Sequence, residues 1–200
     1  MTRPLRSLGF LTIGLFDRDD PRAGHEATLE IIAHAESLGF DGAWLRDRHL
    51  QYGISSPVAV LAAVSQRTSR IRLGTAVITL GFENPFRLAE DLATVDVLSG
   101  GRLEPGFSVG PPRRYDEIAA ALYPDSVAQE RLGYERLERL RVHLAGERGS
   151  EFSGREGIEE YSERIEPHAA GLADRLWYGA ASPASTLWAA EHGFHLLTSS

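Results

Sequence analysis

The sequence predicts an α/β fold built on a parallel sheet, and three observations carry that prediction. Short apolar runs rich in β-branched residues alternate along the chain with amphipathic segments of helical spacing. The segments between successive runs are long enough for helical crossovers, which parallel strands require. The clearest unit is Thr68 to Gly110, where Ile71, Leu73, Thr75, Ala76 and Val77 lead into a helix and then into a strand from Leu103 to Ser108. Strand, helix and strand there fit one right-handed crossover.

Taken in order, the first strand is expected from Ser7 to Ile13, followed by a polar loop over Asp17 to Gly24. Ala27, Leu29, Ile31, Ile32, Ala35 and Leu38 then share one broad helical face, and Gly39 is placed to end that helix in a left-handed cap. Gly42 to Leu45 reads as the second strand. It runs directly into Arg46-Asp47-Arg48-His49, the densest group of chemically capable side chains in the chain. Pro57 to Val64 is a compact apolar helix whose first turn is marked by Ser55, Ser56 and the proline. The third helix carries Phe86, Leu88, Ala89, Leu92, Ala93, Val95, Asp96, Val97 and Leu98 and stops at Ser99-Gly100-Gly101.

The texture changes over Arg113 to Arg175, which holds about half of the charged residues. Gln129 to Ala145 reads as an amphipathic helix, and Gly146 to Ala173 as a long surface insertion between the fourth and fifth strands. Leu176 to Ala180 is the fifth strand, Ser182-Pro183-Ala184-Ser185 a strong helix start, and Phe194 to Leu197 the sixth strand. A single domain over residues 1–200 is expected.

Composition narrows the chemistry. The net charge of -7 argues against a general nucleic-acid surface, which needs a positive footprint. Every basic residue is Arg, so Schiff-base and Walker-type lysines are excluded. With no Cys there are no disulfides or thiolate metal sites, which is compatible with a cytoplasmic setting. The apolar run near the start is too short and interrupted for a membrane span. His192 and His195 have no third ligand nearby in sequence, so no metal site is expected.

Four motifs in this order, GFDGAWLRDRH, TSRIRLGTAVITL, LATVDVLSGGRLEPGFSVG and SPASTLWAAEHGF, resemble the bacterial luciferase-like, flavin-dependent monooxygenase family over most of the chain outside Arg113 to Arg175. The resemblance implies a TIM barrel, of which the six strands above would be the first six. A shortened gene, a reduced family member or closure by another subunit would each account for the two further strands. It also implies an oxidoreductase using reduced FMN and O2 on a small organic substrate, with a separate flavin reductase as partner. A homodimer or heterodimer is the implied assembly. Two alternatives stay open: a deazaflavin-dependent hydride-transfer enzyme, and a non-catalytic flavin-binding or partner subunit.

In a TIM barrel the active site lies at the C-terminal strand ends. By the resemblance, Asp47 takes the family's acidic place, His49 the second histidine, and Arg48 replaces the first histidine, the luciferase base. An always-charged guanidinium cannot take up a proton, although it can hold an anion. Thr75 and Ala76 fall where relatives keep a non-proline cis peptide beneath the flavin ring. Ser108 and Gly110 follow the fourth strand, with Val109 in place of a phosphate-binding arginine, and Arg113 and Arg114 are candidates to supply the missing charge. Ser182 and Ser185 match phosphate-binding hydroxyls, in keeping with the free N–H groups and positive dipole of a helix start. On the residues alone, the charge cluster reads as a solvated Asp-Arg pair with a surface histidine, and Ser182 as an ordinary cap.

Overall fold

In the computed structural model, which describes residues 5–198, the strands follow the expected order and all barrel strands pair in parallel. β1 (Gly9–Thr12), β2 (Gly42–Leu45) and β3 (Arg72–Thr75) lie side by side, with Gly9 opposite Gly42 and Gly42 opposite Arg72. The third and fourth barrel strands are each broken in two. β3 gives way at the cis Ala76–Val77 peptide to β4 (Ile78–Thr79), and β5 (Leu103–Glu104) gives way at Pro105 to β6 (Gly106–Ser108). One sheet therefore runs β1-β2-β3-β5 and a second runs from β4 through β6 to β9 (Trp177–Gly179) and β10 (His195–Leu197). Together they make six consecutive positions of a curved barrel wall.

The break at Pro105 has a local cause and a local remedy. Proline brings no N–H to the ladder. Beside it the buried Thr75 hydroxyl both accepts from Gly106 N and donates to Gly106 O, each at 2.9 Å, which holds the halves together.

Three helices cover the outside of the first sheet: α1 (Pro21–Ser37), α2 (Pro57–Ser65) and α3 (Pro85–Ser99). α1 starts inside the stretch expected to be loop, because Asp20 caps it through Ala23 N at 3.0 Å and Pro21 occupies the first turn. The α3 end is as expected, with Gly100 in the left-handed region at φ 72°. Ile32, Leu45, Leu61, Ile71, Leu73, Leu92 and Leu103 are fully buried in the shared core. Asp96, almost fully buried in α3, accepts from Leu103 N and from both terminal nitrogens of Arg175, at 2.9 and 2.8 Å. That bidentate pair pins the entry of the fifth barrel strand to α3.

Over Arg113 to Arg175 the structure differs from the expectation. α4 (Tyr115–Leu122) was not anticipated, and α5 (Tyr134–Leu144) is shorter than the Gln129 to Ala145 helix. α5 buries Leu137, Leu140 and Leu144. The stretch expected as a surface insertion also sends Ile165, Ala169 and Leu172 into the core. Residues 147–164 are exposed throughout and include its hairpin, β7 (Gly154–Glu156) and β8 (Glu159–Tyr161). Ile165, Ala169 and Leu172 have the four-and-three spacing of a helix face, but Pro167 and Gly171 interrupt it and the segment forms no α-helix. α6 (Pro183–Glu191) completes the chain's helices among the described residues, of which none is long and apolar enough to cross a membrane.

Candidate active site

A cavity of about 750 Å³ runs along the strands, from Gly9, Phe10 and Leu11 of β1 and Trp44 of β2 to the residues that follow β2, β3, β9 and β10, among them Arg46, Ala76, Ala180 and Thr198. Ligand pockets typically measure about 300–1,000 Å³. One wall is Trp44, set edge-on to Trp177 with ring centroids 5.0 Å apart. Trp44 fits there because residue 74 is glycine: a Cβ at Gly74 would lie 2.3 Å from Trp44 Cε3. The small residues Ala76, Gly179, Ala180 and Ala181 also line it, with Val77. A Cβ at Gly179 would come within 3.0 Å of Val77 Cγ1, so a side chain there would crowd this part of the lining. The cavity has the size that a planar heteroaromatic ring needs.

Of the candidate residues from the third strand, Ala76 lines this cavity. Thr75 does not, because its hydroxyl is committed to both backbone groups of Gly106.

Beside the cavity a second constellation forms on the loop after β2. Asp47 is almost fully buried, and its Oδ2 lies 3.2 Å from His49 Nε2 and 3.5 Å from Thr79 N. Its other oxygen is buried without a hydrogen-bond partner. The His49 ring also packs on Phe82, with centroids 4.0 Å apart. The hydrogen bond to Asp47 raises the His49 pKa above its usual value, outweighing the opposing effect of partial burial. Next to this pair, burial and then the Asp47 charge push the Glu83 carboxyl up to about 7, against the opposing pull of His49. Three groups able to carry a proton thus meet at one end of the barrel. Arg48 shares the loop. Burial, Arg46 and Arg113 together lower its pKa, with Asp47 opposing.

Glu83 and Phe82 were not anticipated from sequence. They sit on the short turn Leu80–Phe82 and the residue after it, which the buried Arg136 holds by donating from Nη1 to Glu83 O at 2.6 Å and to Tyr123 Oη at 3.0 Å. Arg136 is also paired with Glu130. The only signal in the sequence is an acidic residue just before the third helix, which resembles any first-turn carboxylate.

The remaining candidates are dispersed. Ser108 is half-buried in β6, opposite Thr79. Gly110 lies at φ 94° and donates to Leu132 O at 2.6 Å. Arg113 borders a small pocket with Asp47, Arg48 and His49. Arg114 also borders it, and its guanidinium is engaged by Glu117 at 3.0 Å. Ser182 and Ser185 form a capping box at the start of α6: Ser182 Oγ accepts from Ser185 N at 3.2 Å, and Ser185 Oγ accepts from Ser182 N at 3.0 Å. The structure thus brings Asp47, Arg48, His49 and Arg113 together and places the two serines at the end of β9, beside the cavity residues Ala180 and Ala181. Among the described residues, no group of three or more His, Asp or Glu side chains is placed to hold a metal ion.

The family model for luciferase-like monooxygenases matches residues 7–200. Among curated relatives, limonene 1,2-monooxygenase of Rhodococcus erythropolis is 37% identical over 134 residues, which are 66% of this chain and 33% of that protein. The F420-dependent glucose-6-phosphate dehydrogenase of Amycolatopsis mediterranei is 36% identical over 104 residues, 49% of this chain and 31% of that one. Among solved structures, the oxygenating constituent of 3,6-diketocamphane monooxygenase of Pseudomonas putida, in complex with FMN, superposes with a TM-score of 0.73 at 18% identity. That superposition covers 96% of this chain and 57% of the other. The chain therefore spans from about a third to under three fifths of the length of these relatives. The open wall of six parallel strand positions is part of a TIM-barrel architecture shared with that structure. On the match over residues 7–200, the chain belongs to the luciferase-like monooxygenase family.

Proposed function

We propose that the chain is a flavin-dependent oxidoreductase that binds FMN in the cavity between Trp44 and the Ala76–Gly179 wall, and acts with O2 on a small organic substrate. The single observation that carries this reading is a cavity of about 750 Å³ lined by the half-buried Trp44 together with the small residues Ala76, Gly179, Ala180 and Ala181. When bound, reduced flavin supplies the electrons and the reaction with O2; a separate reductase supplies the reduced form. The protein's own residues bind, orient and exclude water. Ala76, Gly179 and Ala180 hold the ring by its face. The N-terminus of α6 with Ser182 and Ser185 suits the phosphate, which would draw the two hydroxyls out of their mutual bond. His49, with Nε2 engaged by Asp47, keeps Nδ1 for exchange of a proton, and Glu83 is a second store of one near neutral pH.

The test is titration of the purified chain with FMN, riboflavin and F420, followed by flavin fluorescence. FMN binding is expected, with Ser182→Ala/Ser185→Ala weakening FMN about tenfold and leaving riboflavin unchanged. Failure of both FMN and F420 to bind would overturn the reading.

Two specific observations support other outcomes. The F420-dependent relative favours hydride transfer, which preferential F420 binding without oxygen uptake would decide. Arg48 and Val109, standing where the family carries a base and a phosphate-binding arginine, favour a silent flavin-binding or partner subunit. Photoreduced, FMN-loaded protein that consumes no oxygen would mark that case.

A further inference from the structure

Most arginines here that reach into the fold meet a carboxylate. Arg175 does so at 2.8 Å and Arg72 at 3.1 Å, and the buried Arg136 is paired with Glu130. Arg46, Arg48 and Arg113 instead gather after β2 and β6 with no carboxylate ion pair among the described residues. Among the described residues, the one side-chain bond in the group runs from Arg48 Nη1 to the Asp47 carbonyl, at 3.4 Å. Arg48 and Arg113 border a pocket of about 110 Å³ with Asp47, His49, Thr79 and Phe82. That volume suits one small charged group and is too small for a flavin ring.

The acids around this pocket do not neutralise it. Asp47 also borders the pocket and is bonded to His49 through Oδ2, and one carboxylate there stands against the guanidiniums of Arg46, Arg48 and Arg113. Glu83 is pushed up to about 7 and is half-protonated there. Glu117 is engaged by Arg114. Repulsion from Arg46 and Arg113 acts more strongly on Arg48 than attraction from Asp47 does. Two unpaired guanidiniums, planar and always charged, remain to face one small space.

We propose that the pocket between Arg48 and Arg113 binds an anionic group of the substrate, a carboxylate or a phosphate ester, so that the substrate class is organic anions rather than uncharged molecules. Its assignment to the substrate rests on the cofactor placement above, which puts the cofactor phosphate at α6, beyond the cavity and outside this pocket. The guanidinium pair would hold the anion by charge-assisted, bidentate hydrogen bonds beside His49, at the mouth of the ring site. Arg48 thus fixes the substrate, since an always-charged guanidinium does not take up its proton.

The test is calorimetric titration of the full chain, without cofactor, with benzoate, phenyl phosphate and neutral benzamide. At least one of the two anions is expected to bind, with affinity falling as salt rises, and benzamide to bind at least about tenfold more weakly. Arg113 is exposed, so Arg113→Gln should keep its melting temperature while weakening the anion about tenfold; Arg48→Gln/Arg113→Gln should abolish binding, and the distant Arg155→Gln should leave it unchanged. Equal affinity for benzamide, or unchanged affinity in Arg113→Gln, would overturn the proposal. Competition between FMN and the anion would reassign the pocket to the cofactor phosphate and overturn it as well. Loss of flavin binding with anion binding intact would refute only the cofactor reading, and the reverse only this one.

Discussion

His49 Nε2 lies 3.2 Å from Asp47 Oδ2, a contact between residues two apart on the loop leaving β2. It turns an ordinary surface histidine into one held in place, with Phe82 against its ring. Because the hydrogen bond to Asp47 is the main cause of the raised His49 pKa, Asp47→Asn should bring its titration down. The stability His49 contributes is full below its unfolded value near 6.5 and is lost as pH rises through the raised folded value. The variant should lack that loss. An NMR titration of the His49 ring protons checks the shift; an unmoved midpoint would remove Asp47 as its cause.

Glu83 carries the opposite chemistry with the same sign of pH dependence. Its carboxyl is held up at about 7 from an ordinary 4.5, so the folded state keeps a proton that the unfolded state releases. Stability from this group therefore declines as pH rises from about 4.5 to 7. Glu83→Gln should match the parent near pH 4.5 and melt higher than it at pH 8. Calorimetric melting at both values is the measurement, and identical pH profiles would refute the raised carboxyl.

Gly74 makes room for Trp44. Adding one methyl, Gly74→Ala, sets a Cβ 2.3 Å from the indole and should cost about 1–3 kcal/mol in urea unfolding. Trp44→Leu in the same chain should recover part of it. No recovery would show that the clash is relieved elsewhere.

Thr75 bridges both backbone groups of Gly106 in a fully buried position. Thr75→Val keeps the volume and removes both bonds, leaving a buried N–H and carbonyl unmet at about 1–3 kcal/mol each. Denaturant unfolding should show the loss, and a change below about 0.5 kcal/mol would mean that water or a shifted strand replaces the hydroxyl.

Arg136→Met removes the anchor of the turn that carries Phe82 and Glu83, and strips Glu130 of its partner. A loss of about 3 kcal/mol is expected, with the ring-current shift of Phe82 on His49 reduced. If the His49 ring shifts were preserved, the turn would not depend on Arg136.

Much of the fold was legible because its signals are local. The cap at Gly100, the proline helix starts and the apolar strand runs are set by neighbours within a few residues. The boundaries drifted where a single residue overrode the pattern, as Asp20 and Pro21 did at α1 and Pro105 did in the fourth strand. The Arg113 to Arg175 segment was misjudged in part because Ile165, Ala169 and Leu172 are buried by long-range packing in a stretch that Pro167 and Gly171 mark as loop.

The sequence by itself determined the parallel α/β order, the charged cluster after β2 and the motifs shared with the family, since each rests on residue type and spacing. Only the tertiary structure decided what those residues meet. It set His49 against Asp47 and Phe82, brought Glu83 beside them from another strand, tied Thr75 to Gly106 and left Arg48 and Arg113 facing one pocket. The reason is physical: burial and charge interactions fall off within a few ångströms, and the residues that share those few ångströms come from different strand ends.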